Sequence, residues 1–249
     1  MASLDETKTS IEELGYFCQQ DPNVGQRVDA IFEEIGYHFG NKPGLTFIKT
    51  NIFENQKVRS TVESFFPKSS LGAIKSFGPT DYDCCWINRF HPELKALMVN
   101  LWTSDSVVMF HARSHNNHLI AQATPNGLLK IPPENLGLPG IFSRTVVMKA
   151  GGLSIMDART GFKIFKGRTI TFGFAVPDQL PYWAKMGLPK GCGLEALVQQ
   201  MQETSDRISA NFEFQHIDQG TSSSSRTCRM CGGTGRNGGY TCGICGGKK

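Results

Sequence analysis

The sequence predicts an α+β fold in which an antiparallel jelly-roll barrel is flanked by helices and followed by a small separate C-terminal unit. Three observations predict this. Apolar residues recur at helical spacing before Pro67 and again after Pro177. Between them, short β-branched and aromatic runs alternate with Gly, Pro, Asn and Asp. The last 24 residues hold four of the eight cysteines and no acidic residue.

The first elements are helical. Ser10 and Glu13 have the spacing of a capping box, which predicts a short helix ending at Gln20. Asp21 followed by Pro22 is an N-cap with proline in the first turn, and the apolar residues after it repeat at helical spacing. This predicts an amphipathic helix over 22–39. The other elements predicted before the barrel are a strand over 45–51 and a helix over 58–65.

The barrel is predicted over about residues 72–176. Its predicted strands are short runs separated by turn residues, over 73–77, 84–90, 97–102, 107–114, 127–131, 144–149, 153–159, 162–165 and 169–176. Helical patterns then predict helices over 178–186 and 193–211. The predicted domains are a body over 1–219, a serine-rich flexible linker over 220–227 and a cysteine-rich unit over 228–247.

The bulk properties restrict where the protein works. No apolar run approaches the roughly 18 residues that a membrane-spanning helix needs. The first ten residues are polar and lack the apolar stretch of a secretory signal. Cysteines are sparse in the body and show no disulfide framework. We therefore expect no membrane association, no secretion, and a cytoplasmic location, with the nucleus as the alternative.

The net charge of +4 is unevenly distributed along the chain. Residues 226–249 carry five basic side chains, which leaves 21 basic and 22 acidic side chains in residues 1–225. The basic character therefore belongs to the tail. Five cations and one aromatic ring, Tyr240, make a weak nucleic-acid-binding surface, so we do not expect nucleic acid as the main partner.

The tail carries a metal-binding pattern. Two CxxC pairs, formed by Cys228, Cys231, Cys242 and Cys245, are separated by ten residues. Two such turns can present four thiolates to one tetrahedral Zn²⁺, and a segment this short needs a cross-link or a metal to fold. The alternatives are iron in place of zinc, or a disordered tail whose cysteines are redox-active or idle. We expect one structural zinc in the tail, and the basic residues would then offset the negative charge of the zinc–thiolate site.

These repeats resemble the CxxCxGxG repeats of DnaJ-type chaperones. Residues 228–235 match the repeat fully, whereas residues 242–249 have Lys249 in place of the last glycine. Only two repeats are present, and the J-domain tripeptide is absent because the one His-Pro pair is followed by Glu93. The resemblance implies a DnaJ-like one-zinc knuckle that contacts a protein partner.

Two polar stretches of the barrel form a candidate ligand pocket. Strand alternation over 107–115 places Met109, His111, Arg113 and His115 on one face, and Asp157 and Arg159 share a face of a later strand. Histidine and arginine on one face could bind a metal, an acid or a phosphate. The alternatives are a solvated polar face for the first stretch and a local ion pair at the barrel rim for the second.

These two stretches resemble the cupin-like double-stranded β-helix of phytanoyl-CoA dioxygenase-like proteins over about residues 84–176. That family holds Fe(II) with a His-x-Asp/Glu motif and a distal histidine. His91 and Glu93 have the spacing of the first motif, but Gly161 and Phe162 stand where the distal histidine would fall. No histidine lies between His118 and His216. We therefore do not expect iron or 2-oxoglutarate.

Three functions follow as hypotheses. The first is a zinc-binding adaptor or small-ligand-binding protein, in which the barrel binds a small organic ligand and the zinc tail contacts a protein partner. The second is an enzyme of small-molecule metabolism, either dioxygenase-like or independent of metal. The third is a nucleic-acid-associated protein that acts through the basic tail. A convergence of the five candidate pocket residues in one place would favour the enzyme.

Overall fold

A computed structural model of the chain describes residues 2–88 and 93–215, together with the backbone of residues 236–237 and 240–241. Its α-helices are α1 Leu4–Leu14, α2 Pro22–Ile35, α3 Lys42–Ile48, α4 Gln56–Phe65, α5 Pro133–Leu136 and α6 Leu194–Gln202. Three further helical turns are the π-helix Lys49–Phe53 and the 3₁₀ turns Ser114–Asn116 and Leu180–Tyr182.

The strands of the first half of the chain are β1 Tyr16–Gln20, β2 Ser69–Phe77, β3 Cys84–Cys85, β4 Ala96–Trp102, β5 Ser106–Ala112, β6 Gln122–Ala123 and β7 Leu129–Lys130. Those of the second half are β8 Phe142–Met148, β9 Gly152–Asp157, β10 Gly161–Lys166, β11 Thr169–Ala175, β12 Met186–Pro189, β13 Ile208–Ala210, β14 Phe212–Gln215, β15 Arg236–Asn237 and β16 Tyr240–Thr241. The short β3 and β7 lie within longer predicted strands.

The first helix begins earlier than predicted. Ser3 and Glu6 form the capping box of α1, with reciprocal bonds between each side chain and the other's backbone N–H. Ser10 lies inside α1, where its hydroxyl donates to the Tyr16 carbonyl, and the residues up to Gln20 form strand β1. The predicted N-cap of α2 is confirmed, because the Asp21 carboxylate accepts from two backbone N–H groups in the first turn.

Three other local predictions are wrong. Residues 45–51 are helical, in α3 and the π-helix, because their apolar residues pack against other helices. The predicted helix over 178–186 is a 3₁₀ turn followed by β12, and the predicted helix over 193–211 ends at Gln202. The first two are short apolar runs that fit a helix or a strand equally well, and tertiary packing decides between them.

The antiparallel core is confirmed as two six-stranded sheets, in which the pairing of the edge strand β13 with β2 is parallel and the other pairings are antiparallel. One sheet has the order β1-β9-β4-β11-β2-β13, and the other has the order β6-β7-β3-β10-β5-β8. After β4 the chain moves to β5 and β8, returns to the first sheet at β9, crosses at β10 and returns again at β11. This repeated crossing between two facing sheets is jelly-roll topology.

Strand alternation divides the core into two layers. On β4, Leu97, Val99 and Leu101 pack with the helices, whereas Met98 and Trp102 pack between the two sheets. The space between the sheets also contains Phe110, which is fully buried, and the barrel interior is therefore filled by side chains. Burial of these large side chains is the main contribution to the stability of the body.

The tail predictions fall outside the part of the chain that the structure describes. This applies to the linker over 220–227 and to the four cysteines of the predicted zinc knuckle. The division of the chain into body, linker and knuckle therefore stays a prediction. The described pairing of β15 with β16 lies between the two CxxC pairs. Among the described residues, no helix has both the length and the apolar character needed to cross a membrane.

Candidate functional site

The predicted polar face of β5 continues only to the end of the strand. Strand β5 ends at Ala112, and Arg113 has a φ of 65°, in the left-handed region. The chain then turns into the 3₁₀ segment that holds His115. The prediction that His111, Arg113 and His115 share one face is therefore wrong, because a left-handed residue breaks the two-residue alternation.

His111 is held by two side chains from other strands and loops. It is 3% exposed and lies opposite Ser143 on β8 and Gly161 on β10. Its Nε2 lies 2.7 Å from Asp83 Oδ1, and its Nδ1 lies 2.9 Å from Ser143 Oγ. Since a carboxylate only accepts, Nε2 donates to Asp83, and in the tautomer that carries its proton on Nε2 the Nδ1 atom accepts from the serine hydroxyl.

His115 lies against the C-terminal end of α1, and only one of its ring nitrogens has a partner. The residue is 5% exposed, and Nε2 donates to the Glu12 carbonyl at 3.2 Å. That bond places the proton on Nε2, so Nδ1 of the neutral ring carries a lone pair. Nδ1 is buried and has no hydrogen-bond partner among the residues described.

An ion pair between the buried Asp157 and the partly buried Arg159 lies beside His115. Asp157 ends β9 and is 3% exposed, and its Oδ2 lies 2.6 Å from Arg159 Nη2 in the following turn. Oδ1 of Asp157 also accepts from the backbone N–H of Arg159 at 2.9 Å. Burial lowers the pKa of His115, and Arg159 lowers it further, while Asp157 and the Glu12 carbonyl act in the opposite direction. His115 is therefore neutral at pH 7.

Gly15 allows this group to pack closely. Its φ is +89°, and a Cβ at this position would lie 2.5 Å from both His115 Nδ1 and Thr160 Oγ1. The Gly15 carbonyl accepts from the Thr160 hydroxyl and from the Asp157 backbone N–H, both at 2.9 Å. The end of α1, the end of β9 and the turn after β5 thus meet around one glycine.

The five predicted pocket residues therefore occupy three places. His115, Asp157 and Arg159 lie together, and His111 lies in a separate group with Asp83 and Ser143. Arg113 is exposed and stacks over the Phe142 ring with its Cζ 6.0 Å from the ring centroid. Whether these residues bind a ligand stays a prediction.

A shallow cleft borders the Asp157–Arg159 pair. Besides that pair, its polar lining consists of Glu93, Lys95 and Gln179. The ammonium of Lys95 lies 3.2 Å from a carboxylate oxygen of Glu93 and 3.2 Å from one of Asp178. The formal charges that line the cleft therefore balance.

Sequence reasoning missed the partners of both histidines and a buried polar row inside the barrel. In that row Thr171 donates to Asn100 Oδ1 at 2.8 Å, and Asn100 donates to Ser154 Oγ at 3.2 Å. Trp102 Nε1 also donates to Ser154 Oγ at 2.9 Å. These residues lie on β11, β4 and β9, and only the register of those strands brings them together.

The adjacent cysteines Cys84 and Cys85 are confirmed as core residues. Both are fully buried, and burial raises the pKa of Cys84 and raises that of Cys85 to about 12. Both thiols therefore stay protonated at neutral pH, and a protonated thiol is a poor nucleophile.

The described residues do not form a metal-binding set. Within them, no group of three or more His, Cys, Asp or Glu side chains could hold an ion. Near the cleft, His115 and Asp157 supply two such groups, and a facial iron site needs three ligands. His91, of the His-x-Glu spacing, lies outside the described residues.

In comparisons with known proteins, the chain is similar to solved structures but matches no family model and no curated sequence. HygX from Streptomyces hygroscopicus with iron bound is 9% identical, with a TM-score of 0.49 over 71% of this chain and 88% of HygX. The epimerase SnoN from nogalamycin biosynthesis is 11% identical, with a TM-score of 0.47 over 69% of this chain and 81% of SnoN. The nickel complex of the non-heme monooxygenase ThoJ is 10% identical, with a TM-score of 0.48 over 82% and 96% of the two chains.

The cofactor prediction needs correction. The sequence predicted one zinc in the tail and excluded iron and 2-oxoglutarate. HygX has been solved with iron and with nickel and 2-oxoglutarate, and SnoN is described as α-ketoglutarate dependent. The exclusion of iron and 2-oxoglutarate is withdrawn in view of these structures, and nothing in the described residues or the comparisons supports the zinc.

Proposed function

We propose that the protein is an enzyme of small-molecule metabolism, whose small polar organic substrate binds where His115, Asp157 and Arg159 meet. One observation carries the proposal. His115 presents a buried Nδ1 lone pair without a hydrogen-bond partner among the described residues, next to the partly buried Asp157–Arg159 ion pair. The adaptor hypothesis has less support, because it depends on a tail that lies outside the described residues.

The unpartnered nitrogen suggests what a ligand would supply. Leaving a buried acceptor without a donor costs about 1–3 kcal/mol, and such exceptions in a folded protein need an explanation. A ligand hydroxyl or ammonium that donated to Nδ1 would remove this cost. Because burial keeps His115 neutral, Nδ1 would act as an acceptor or as a general base.

The neighbouring cleft suggests the class of ligand. Its lining includes two carboxylates, from Glu93 and Asp157, two cations, from Lys95 and Arg159, and the Gln179 amide. Balanced charges do not favour a simple anion or a simple cation. We therefore propose a ligand with both donors and acceptors, such as an amino acid or a polyhydroxylated compound, and L-glutamate is a suitable probe.

Calorimetric titration of the full chain tests this proposal. The probes are L-glutamate and 2-oxoglutarate, which share a carbon skeleton but differ in the amine, each with and without ferrous iron. His115→Gln keeps an N–H that can donate to the Glu12 carbonyl and removes Nδ1. We expect L-glutamate to bind more tightly than 2-oxoglutarate. We expect His115→Gln to weaken the binding of L-glutamate at least about tenfold, because the variant loses one hydrogen bond to the ligand.

The matched control is His118→Gln, because His118 is exposed and lies three residues away. This variant should bind the probe as the unmodified chain does. Equal affinity of His115→Gln and His118→Gln would contradict the proposed site. Failure of every probe to bind would contradict the proposed ligand class.

A further inference from the structure

We propose that Asp83, His111 and Ser143 form a second site, which transfers the acyl group of small esters to the Ser143 hydroxyl. The site is separate from the proposed ligand position at His115 and does not depend on it. The three residues come from the segment before β3, from β5 and from β8. Only the pairing of β5 with β8 and the fold of the loop bring them into contact.

The hydrogen bonds have the direction that nucleophilic catalysis requires. Asp83 accepts from His111 Nε2 at 2.7 Å, and Nδ1, on the other side of the ring, lies 2.9 Å from Ser143 Oγ. A carboxylate, a histidine and a hydroxyl in sequence can activate the hydroxyl as a nucleophile. The constellation is recognised by geometry and roles on any fold.

Such a site needs a shielded base and carboxylate and an accessible nucleophile, and the three side chains differ in exposure in this way. The His111 side chain is 4% exposed and that of Asp83 is 22% exposed, so their interaction is largely shielded from solvent. Ser143 is exposed on β8, the edge strand of its sheet. A substrate can therefore reach the hydroxyl while the base and its carboxylate remain held in place.

The chemical step needs no further reagent than water. Ser143 Oγ attacks the ester carbonyl while its proton moves to His111 Nδ1, and an Oγ–C bond forms. The C–O bond to the alcohol breaks, and the leaving alkoxide takes the proton from Nδ1. Water then attacks the acyl-serine carbonyl and gives a proton to Nδ1. The Oγ–C bond breaks, and Ser143 Oγ takes the proton back from Nδ1 as the acid leaves. Asp83 stays ionised and stabilises the imidazolium formed in each half.

The surroundings of Ser143 suggest a short apolar acyl group. Val147 lies on the same face of β8 and is 44% exposed, and Met109 of β5 is only partly buried beside them. Because β8 has one strand neighbour among the described strands, alternate backbone N–H groups on its free edge have no strand partner. Such groups can donate to the oxyanion of the acyl-transfer intermediate.

Two assays of the full-length protein test the proposal. A fluorophosphonate probe should phosphonylate Ser143 with release of fluoride, and peptide mass spectrometry locates the modified residue. Hydrolysis of p-nitrophenyl acetate should fall at least about 100-fold in Ser143→Ala, the typical contribution of a positioned base and its nucleophile. Asp83→Asn should lower the rate of hydrolysis less than Ser143→Ala does. It should also shift the pH profile of hydrolysis, since it changes the hydrogen-bond partner of the base His111.

Thr145→Ala provides the matched control. Thr145 is an exposed hydroxyl on the same face of β8, two residues from Ser143, and it pairs with Met109 rather than with a histidine. Its loss should leave both labelling and hydrolysis unchanged. Labelling at another residue, or equal hydrolysis by Ser143→Ala and Thr145→Ala, would overturn the proposal. Thermal unfolding of each variant separates loss of activity from loss of fold.

Discussion

His111 and His115 are four residues apart and both are buried, yet their surroundings differ. His111 has a side-chain partner on each ring nitrogen, at 2.7 Å and 2.9 Å. His115 has one backbone carbonyl partner, and its Nδ1 has none in the described part of the protein. The first arrangement holds a ring in one tautomer and orientation, whereas the second leaves an acceptor that a ligand could use.

The difference originates in the backbone between the two residues. His111 is the sixth residue of β5, so the register with β8 and β10 decides which side chains it meets. The left-handed conformation of Arg113 then directs the chain toward α1, whose last turn supplies the hydrogen-bond partner of His115 Nε2, the Glu12 carbonyl. One residue between two histidines thus gives them two different environments.

The largest expected effect tests the charged neighbours of His115. Asp157→Asn removes the carboxylate charge from a pair in which Asp157 and Arg159 are 4% and 16% exposed in their side chains. We expect a loss of about 3 kcal/mol in the free energy of unfolding, because the buried Asp157 carboxylate loses its charge and its charge-assisted hydrogen bonds with the partly buried Arg159 guanidinium. Urea denaturation measures this loss. Glu93→Gln is the control, since Glu93 is 75% exposed and its pair with Lys95 should contribute less than about 1 kcal/mol.

A second variant tests how closely the chain approaches His115. Gly15→Ala places a Cβ 2.5 Å from His115 Nδ1 and requires a φ of +89°. We expect a loss of about 2 kcal/mol, from backbone strain and the clash together. Gly191→Ala is the matched control, because its φ is +82° and a Cβ would meet nothing within 4 Å. Equal losses in the two variants would show that the contact with His115 contributes nothing.

These contacts also mark how far the sequence could predict the structure. Alternation and turn residues correctly indicated the strands around β4, β5 and β9–β11, and Asp21 indicated the start of α2, because those signals are local. The ion pair of Asp157 and Arg159, which the sequence predicted as the alternative to a ligand-binding role, is confirmed, since the two residues are only two positions apart. The partners of His111 and His115 could not be predicted, because they come from Asp83, Ser143 and the end of α1, which only the register and topology bring close.

A third variant tests the arrangement around His111. Asp83→Asn keeps the size of the side chain but removes the charge that faces His111 Nε2. We expect a loss of about 1 kcal/mol, since the Asp83 side chain is 22% exposed and solvent screens part of the interaction. Thermal and urea unfolding measure the change. Asp81→Asn, at a carboxylate two residues away, should change stability by less than about 0.5 kcal/mol. A larger loss in Asp81→Asn than in Asp83→Asn would contradict the importance of the His111 contact.

The smallest expected effect is a pH dependence that separates the two histidines. Burial lowers the pKa of His115 in the folded protein, so below about pH 6.5 the unfolded state binds the proton more readily. The free energy of unfolding should therefore fall between pH 7 and pH 5.5, and His115→Gln should reduce that fall by less than about 1 kcal/mol. Urea titrations at both pH values measure it, with His118→Gln as the control that keeps the full dependence. If the free energy of unfolding of His115→Gln fell as much between pH 7 and pH 5.5 as that of the unmodified chain, Nδ1 would gain its proton as easily in the folded protein as in the unfolded chain. That result would contradict the distinction drawn between His111 and His115.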